Sequence, residues 1–211
     1  MARSVFVVWN DKYHLKETYA PAINAIFGGD TWDLAVSESA RSLLKTENSP
    51  DLAIFLAAGL AEGEDALSAG EQAAICRMVE AGMGALFIHA GLTRILPDTP
   101  MYELTRGYFI MHPEGNPPIY CCAQAGGPAH PAMCGIGAFE APDEHYFCFV
   151  DAEHTNVFLF SRSAAGTEIA GWAHERDGGR VCCLSPGHTA QMTDILKPLI
   201  VNAASWCVKD T

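Results

Sequence analysis

Polar side chains follow three apolar, strand-like segments of this chain, each at the point where the segment ends. His89 follows the segment 84–88, His188 follows the segment 181–184, and Asn10 and His14 follow the segment 5–9. In an open parallel sheet, ligands bind just beyond the carboxyl ends of the strands. The sequence therefore predicts that these polar groups converge on one pocket at a single edge of a sheet.

His89 stands at the sharp turn where a strand passes into a helix, a position at which related folds place a serine or cysteine nucleophile. The small residues Ala90 and Gly91 suit a turn that exposes the side chain above the sheet. An imidazole there serves as acid, base or metal ligand, and it excludes the thiol chemistry of an amidotransferase. The alternative is a core histidine that hydrogen-bonds to the backbone. We predict that His89 faces the pocket and that its loss leaves the fold intact.

Five further side chains offer chemistry beside His89. Glu144 and Tyr146 place a carboxylate near a phenol, which suits general acid/base work or sugar binding, although a charged loop before a strand is also typical of a solvated turn. Asn10 and His14 offer an amide and an imidazole for sugar hydroxyls or a metal, whereas Asn10 alternatively caps the first helix. His188 is a weak candidate alone and a better one because a second strand-end histidine can face it.

The elements that must position these groups change character along the chain. The first half alternates strand patterns with amphipathic helix patterns, and Ser68 and Glu71 form a capping box. Such alternation is typical of right-handed βαβ units and a parallel sheet. From residue 106 to 184 strand patterns dominate, with a hairpin predicted around Asp177. We therefore predict an α/β fold with a mostly parallel sheet and extra antiparallel strands in the second half, in a single domain over residues 1–211.

Composition narrows the class of partner. The chain has 211 residues, of which 49% are hydrophobic, enough for one sizeable core. A net charge of −12 argues against nucleic acid and anionic membrane surfaces as partners, because both need clustered Lys and Arg. We find no signal-peptide pattern and no apolar run near the roughly 20 residues of a membrane span.

The eight cysteines lack metal-knuckle spacing. We expect reduced thiols and a cytoplasmic location, and the sequence leaves open whether the chain forms a homo-oligomer.

Five segments in this order resemble the trehalose-utilisation (ThuA-like) family, a branch of the class I glutamine-amidotransferase-like fold. The segments are residues 7–10 with His14, 82–91, 130–137, 143–146 and 179–188, closed by Asn202 and Trp206. They run over nearly the whole chain, and their order is more specific than any one of them. The resemblance implies a flavodoxin-like three-layer α/β sandwich and a role in sugar catabolism.

The resemblance also implies a substrate class and a candidate cofactor. Members of the family sit among enzymes that handle keto-disaccharides and glycosides, and some bind a divalent metal near these histidines. This chain has Leu92 and the segment 57–60 where some relatives carry histidines. The groups that remain available are His14, His89, Glu144 and His188. A divalent metal such as zinc, if bound, is expected on His14, His89 and His188, and no other cofactor is expected.

Two hypotheses follow. In the first, the protein is an enzyme for a keto-sugar or glycoside such as a trehalose derivative. A ring carbonyl acidifies the neighbouring C–H, and a base that removes this proton enables elimination or isomerisation. His89 or His188 is the expected base, with Glu144 as the partner acid. The residues expected to bind the substrate are Asn10, His14 and Tyr146. In the second hypothesis, a non-catalytic carbohydrate-binding or regulatory protein keeps the pocket without turnover.

Overall fold

The computed structural model describes residues 2–63, 65–125 and 129–209, and its larger sheet has nine strands within those residues. Five neighbouring strands run parallel. In spatial order they are β2 (Trp32–Ser37), β1 (Arg3–Val8), β3 (Leu52–Phe55), β4 (Gly84–Ile88) and β11 (Gly179–Leu184). The residues of β3 and β4 are buried throughout, as expected for apolar strands that are covered on both faces.

Antiparallel strands extend the sheet beyond β11. They are β10 (Gly166–Arg176), β9 (Asn156–Ser163), β6 (Pro118–Ala123) and β7 (Phe139–Pro142). A separate two-stranded sheet pairs β5 (Gly107–Met111) with β8 (Phe147–Val150). The predicted hairpin is confirmed, since Glu175 pairs with Arg180 across a turn in which Asp177 has a φ of 48°.

Helices cover both faces of the parallel strands, which makes three layers. They are α1 (Lys16–Phe27), α2 (Ala69–Glu80), α3 (Pro100–Thr105), α4 (Ala190–Ile195) and α5 (Lys197–Cys207). Successive residues of β1 belong to two different hydrophobic cores. Val7 lies in the core that contains residues of α1 and α5, whereas Phe6 lies in the core that contains residues of α2 and α3. The predicted α/β class, with a mostly parallel sheet and antiparallel additions, is therefore confirmed.

Local differences from the predicted elements are small. The turn behind β4, where the strand was expected to pass into a helix, is a 3₁₀ helix, His89–Leu92, and a further 3₁₀ helix spans Ala40–Lys45. All eight cysteines have free thiols. Every helix among the described residues is too short or too polar to span a membrane.

His174 on β10 makes the fold sensitive to acid. Its side chain is buried, and neither ring nitrogen has a hydrogen-bond partner within the described residues. Burial, aided by Arg106 and Arg176, lowers the pKa of His174 to about 3 from 6.5. The unfolded chain therefore takes up this proton at a higher pH than the native protein. The stability that depends on a neutral His174 ring is fully present above pH 6.5 and is lost as the pH falls towards 3.

Replacing His174 by Leu removes this titrating group. We expect the loss of unfolding free energy between pH 7 and pH 4 to shrink by roughly 1–3 kcal/mol relative to the unmodified protein. Urea unfolding at both pH values measures the difference. An equal loss in the two proteins would mean that His174 does not contribute to the acid sensitivity.

Candidate active site

Three histidines from three parts of the chain meet at the carboxyl edge of the parallel strands. His14 lies in the loop after β1, His89 directly after β4, and His188 in the loop after β11. Their ring centroids are separated by 5.2 Å (His14 to His89), 5.3 Å (His14 to His188) and 5.3 Å (His89 to His188). The predicted convergence of these strand ends is therefore confirmed.

His89 is fully buried, which corrects the expectation that the turn exposes it. Its φ is 46°, and the turn is tight because a Cβ on Gly91 would overlap the Phe55 carbonyl oxygen. Tyr146 stacks on the imidazole with ring centroids 3.8 Å apart, and Nδ1 lies 2.8 Å from the Ser185 carbonyl oxygen. This acceptor fixes the proton on Nδ1 and leaves Nε2 with a lone pair. His89 thus lies beneath the pocket rather than on its surface.

Glu144 lies at the centre of the histidine group. Its Oε2 is 3.3 Å from Nε2 of His89 and 3.4 Å from Nδ1 of His188, and its Oε1 is 3.7 Å from Nε2 of His112. Nε2 of His89 and Nδ1 of His188 are buried, yet neither forms a hydrogen bond within the part of the chain that the structure describes. Four residues each offer one atom that could ligate a metal, and these atoms all lie within 4.8 Å of one another. The residues are His14, His89, Glu144 and His188. These are the four groups that the sequence left available.

Asp11 orients His14 and was missed by the sequence analysis. Its carboxylate oxygens lie 2.9 and 3.0 Å from Nδ1 of His14, and one of them also accepts the N–H of Ala58 at 2.7 Å. Burial alone would raise the pKa of Asp11, but the bonds from His14 and Ala58 outweigh it and bring the pKa to about 2. A carboxylate on one ring nitrogen directs the other nitrogen of His14 into the group, as in many metal sites. Tyr146 places its hydroxyl 3.5 Å from that Nε2 atom.

Asp143 holds the loop that carries His188. It is buried, and it accepts the backbone N–H groups of Gly187 at 2.7 Å and Thr189 at 2.8 Å. Burial raises the pKa of Asp143 to about 7, although these donors favour its charged form. Neighbouring residues therefore have separate tasks, since Asp143 fixes the loop and Glu144 faces the histidines.

Replacing Asp143 by Ala should destabilise the protein by about 2–4 kcal/mol, because the buried N–H of Gly187 and the partly buried N–H of Thr189 lose their acceptor. The matched control is Asp194→Ala, which breaks an exposed pair with Lys197 and should change stability by less than about 1 kcal/mol. Urea unfolding of both variants measures the difference. Equal stabilities would contradict the role given to Asp143.

A cavity of about 460 Å³ opens above this group. Its lining residues are Tyr13, His14, Ala58, Thr93, Arg94, Phe109, His112, Glu144, Tyr146 and His188. Asn10 is not among them: its side-chain oxygen accepts the N–H of Lys16 at 3.1 Å at the start of α1, the capping role considered as its alternative. His112, which follows β5, was not predicted from the sequence because an isolated histidine before a proline has no distinguishing pattern.

Within this group, His89 and His188 favour the neutral form and Glu144 favours the ionised form. Burial lowers the pKa of His89 to about 4 and also lowers that of His188. Burial would raise the pKa of Glu144, but contact with His89, His188 and His112 outweighs it and lowers this pKa. Neutral imidazole nitrogens and a carboxylate are the donors that zinc takes in catalytic sites, where three protein ligands leave one position open.

Comparison with known proteins extends the resemblance across the chain. The family model for ThuA, described as trehalose utilisation, matches residues 4–207. No curated protein sequence matches. A ThuA-like protein from Bacteroides uniformis has a similar structure, with a TM-score of 0.74, 16% identity, and coverage of 98% of this chain and 91% of the other. A ThuA-like protein from Parabacteroides merdae is also similar, with a TM-score of 0.73, 11% identity, and coverage of 100% of this chain and 91% of the other.

A third similar structure is a cytoplasmic protein from Salmonella typhimurium, with a TM-score of 0.64, 11% identity, and coverage of 97% of this chain and 98% of the other. At these identities the solved structures establish a shared fold, which agrees with the flavodoxin-like sandwich. The family model covers almost the whole chain, including all three strand ends that supply the histidines. The chain therefore belongs to the ThuA family.

Proposed function

We propose that this protein is an enzyme of sugar catabolism that acts on a keto-sugar or glycoside by proton transfer at Glu144 and His188. The observation that carries the proposal is a carboxylate set between imidazoles at the base of a 460 Å³ cavity, a size suited to a small ligand. Membership of a family described as trehalose utilisation supports a carbohydrate ligand. A cytoplasmic location is part of the same proposal.

The positions of the side chains support a separate role for each of them. Glu144 and His188 line the cavity, whereas His89 is buried beneath it and is not in a position to contact the substrate directly. Because its lowered pKa keeps Glu144 ionised at neutral pH, the carboxylate begins the reaction as a base. This assignment revises the sequence-based hypothesis, in which Glu144 is the acid and His89 shares the role of base.

A balanced reaction follows from these roles. Glu144 takes the proton from the carbon next to the ring carbonyl, and the C–H electron pair forms an enolate. The enolate then expels the glycosidic oxygen from the adjacent carbon, which leaves an unsaturated ketone. The departing oxygen receives the proton from the Glu144 and His188 pair, so that the carboxylate is restored. Tyr146 and His112 border the same cavity, and in this proposal they hold substrate hydroxyls.

The residues present also fit a divalent metal. Two buried ring nitrogens, on His89 and His188, lack hydrogen-bond partners among the described residues, which is costly unless a ligand or ion meets them. His14, His89 and His188 would hold the ion, with Asp11 orienting His14 from behind. Bound there, a metal supplies Lewis-acid polarisation of the substrate carbonyl. Glu144 remains the group that moves the proton.

Turnover of a keto-disaccharide tests the proposal. The protein is treated with a chelator, divided, and assayed with and without added zinc, and products are followed by mass spectrometry. We expect an unsaturated keto-sugar and a released sugar, with a higher rate in the zinc sample. Saturable binding without product in both samples would favour the alternative, a non-catalytic carbohydrate-binding protein.

A further inference from the structure

We infer that the pocket continues into a second subsite, which takes the second, uncharged ring of a disaccharide substrate. A cavity of about 450 Å³ adjoins the one above Glu144, and the two share Tyr13, Ala58 and Arg94 as lining residues. Together they provide two joined compartments of similar volume. This inference rests on the proposed function, since it places the reacting ring beside Glu144 and the departing ring beyond Tyr13.

The two compartments differ in chemistry. The compartment above Glu144 is lined mainly by imidazole and aromatic side chains, whereas the second is lined by hydrogen-bonding groups of both charges. The charged residues of the second compartment are Asp11, Lys12, Glu62, Asp65 and Arg94. Two cations beside three carboxylates give no net attraction for a phosphate or carboxylate ligand. Sugar hydroxyls both donate and accept hydrogen bonds, and they match such a mixed lining.

Two residues at the junction suit the second ring. Tyr13 has 65% of its surface exposed, unusual for a large aromatic side chain, and Lys12 Nζ lies 5.1 Å from its ring centroid. An exposed aromatic face at a cavity edge offers a stacking surface to the C–H face of a sugar. Arg94 is exposed, and its side chain has no hydrogen bond or ion pair within the described residues, so its donors are available to a ligand.

Binding of the second ring also serves the chemistry. Contacts remote from the reacting carbon position the reacting ring against the base, and this binding energy can be used in the transition state. The part of this binding energy that is already expressed in the ground state should make a disaccharide bind more tightly than a ligand that lacks the departing ring.

Calorimetric titration tests the second subsite without any need for turnover. The ligands are a keto-disaccharide, the methyl glycoside of the same keto-sugar, and a keto-disaccharide phosphorylated on the second ring. The proteins are the unmodified chain, Tyr13→Ala, Arg94→Ala and the control Tyr120→Ala, which removes a tyrosine on β6 that packs near Arg162. We expect the unmodified chain to bind the disaccharide at least about tenfold more tightly than the methyl glycoside.

The ratio of the two affinities should fall towards one in Tyr13→Ala and Arg94→Ala, whereas Tyr120→Ala should keep both this ratio and the affinity of the unmodified chain for the methyl glycoside. Equal affinity for both neutral ligands, or a preference that survives both substitutions, would overturn the inference. Tighter binding of the phosphorylated ligand would overturn the assignment of an uncharged ring. A disaccharide preference without turnover would contradict the proposed reaction and leave the second subsite supported.

Discussion

Glu144→Gln should lower turnover by about 10²- to 10⁴-fold, the usual contribution of a general acid or base, while the melting temperature stays nearly unchanged. Glutamine keeps the size of the side chain and one acceptor oxygen but cannot take a proton. The carboxylate contacts His89 and His188 at 3.3 and 3.4 Å, distances at which the neutral amide still fits. Initial rates with a keto-disaccharide and thermal unfolding measure the two effects.

The matched control for this variant is Glu140→Gln, because Glu140 is exposed on β7, only a few residues away along the chain. It should leave both rate and melting temperature unchanged. A Glu144→Gln variant with nearly full activity would show that the base is another group. A large fall in melting temperature would show instead that the carboxylate is structural.

His89→Ala should destabilise the protein by roughly 2–4 kcal/mol and abolish zinc binding. The substitution leaves the Ser185 carbonyl without its partner, removes the ring that stacks on Tyr146, and places alanine at a φ of 46°. Urea unfolding and zinc titration measure the two effects. Because destabilisation alone would explain lost binding, a second variant is needed.

His89→Asn separates the two effects. Asparagine tolerates positive φ, and its amide can donate to the Ser185 carbonyl, but it has no counterpart of Nε2. We therefore expect stability closer to that of the unmodified protein together with lost zinc affinity. Unchanged zinc affinity in His89→Asn would remove His89 from the metal site.

The sequence predicted the parts of this site that depend on strand direction. Because β1, β4 and β11 are parallel and adjacent in one sheet or separated only by β3, polar residues after them had to meet at one edge. The burial of His89 could not be predicted, since it depends on Tyr146 folding over the ring from a distant segment. Asp11 and His112 were missed for a similar reason. Their roles come from loop conformation and from the separate β5–β8 sheet, which no residue periodicity specifies.

The proposed reaction depends on Glu144 removing a proton from the carbon next to the substrate carbonyl. The most direct test uses a keto-disaccharide carrying deuterium at that carbon, with the label in substrate and products followed by mass spectrometry against an enzyme-free blank. We predict that turnover by the unmodified protein releases the deuterium from that carbon, and that Glu144→Gln leaves the label at the level of the blank. Cleavage of the disaccharide with the deuterium still in place would rule out Glu144 as the base, because the glycosidic bond would then break without proton abstraction from carbon.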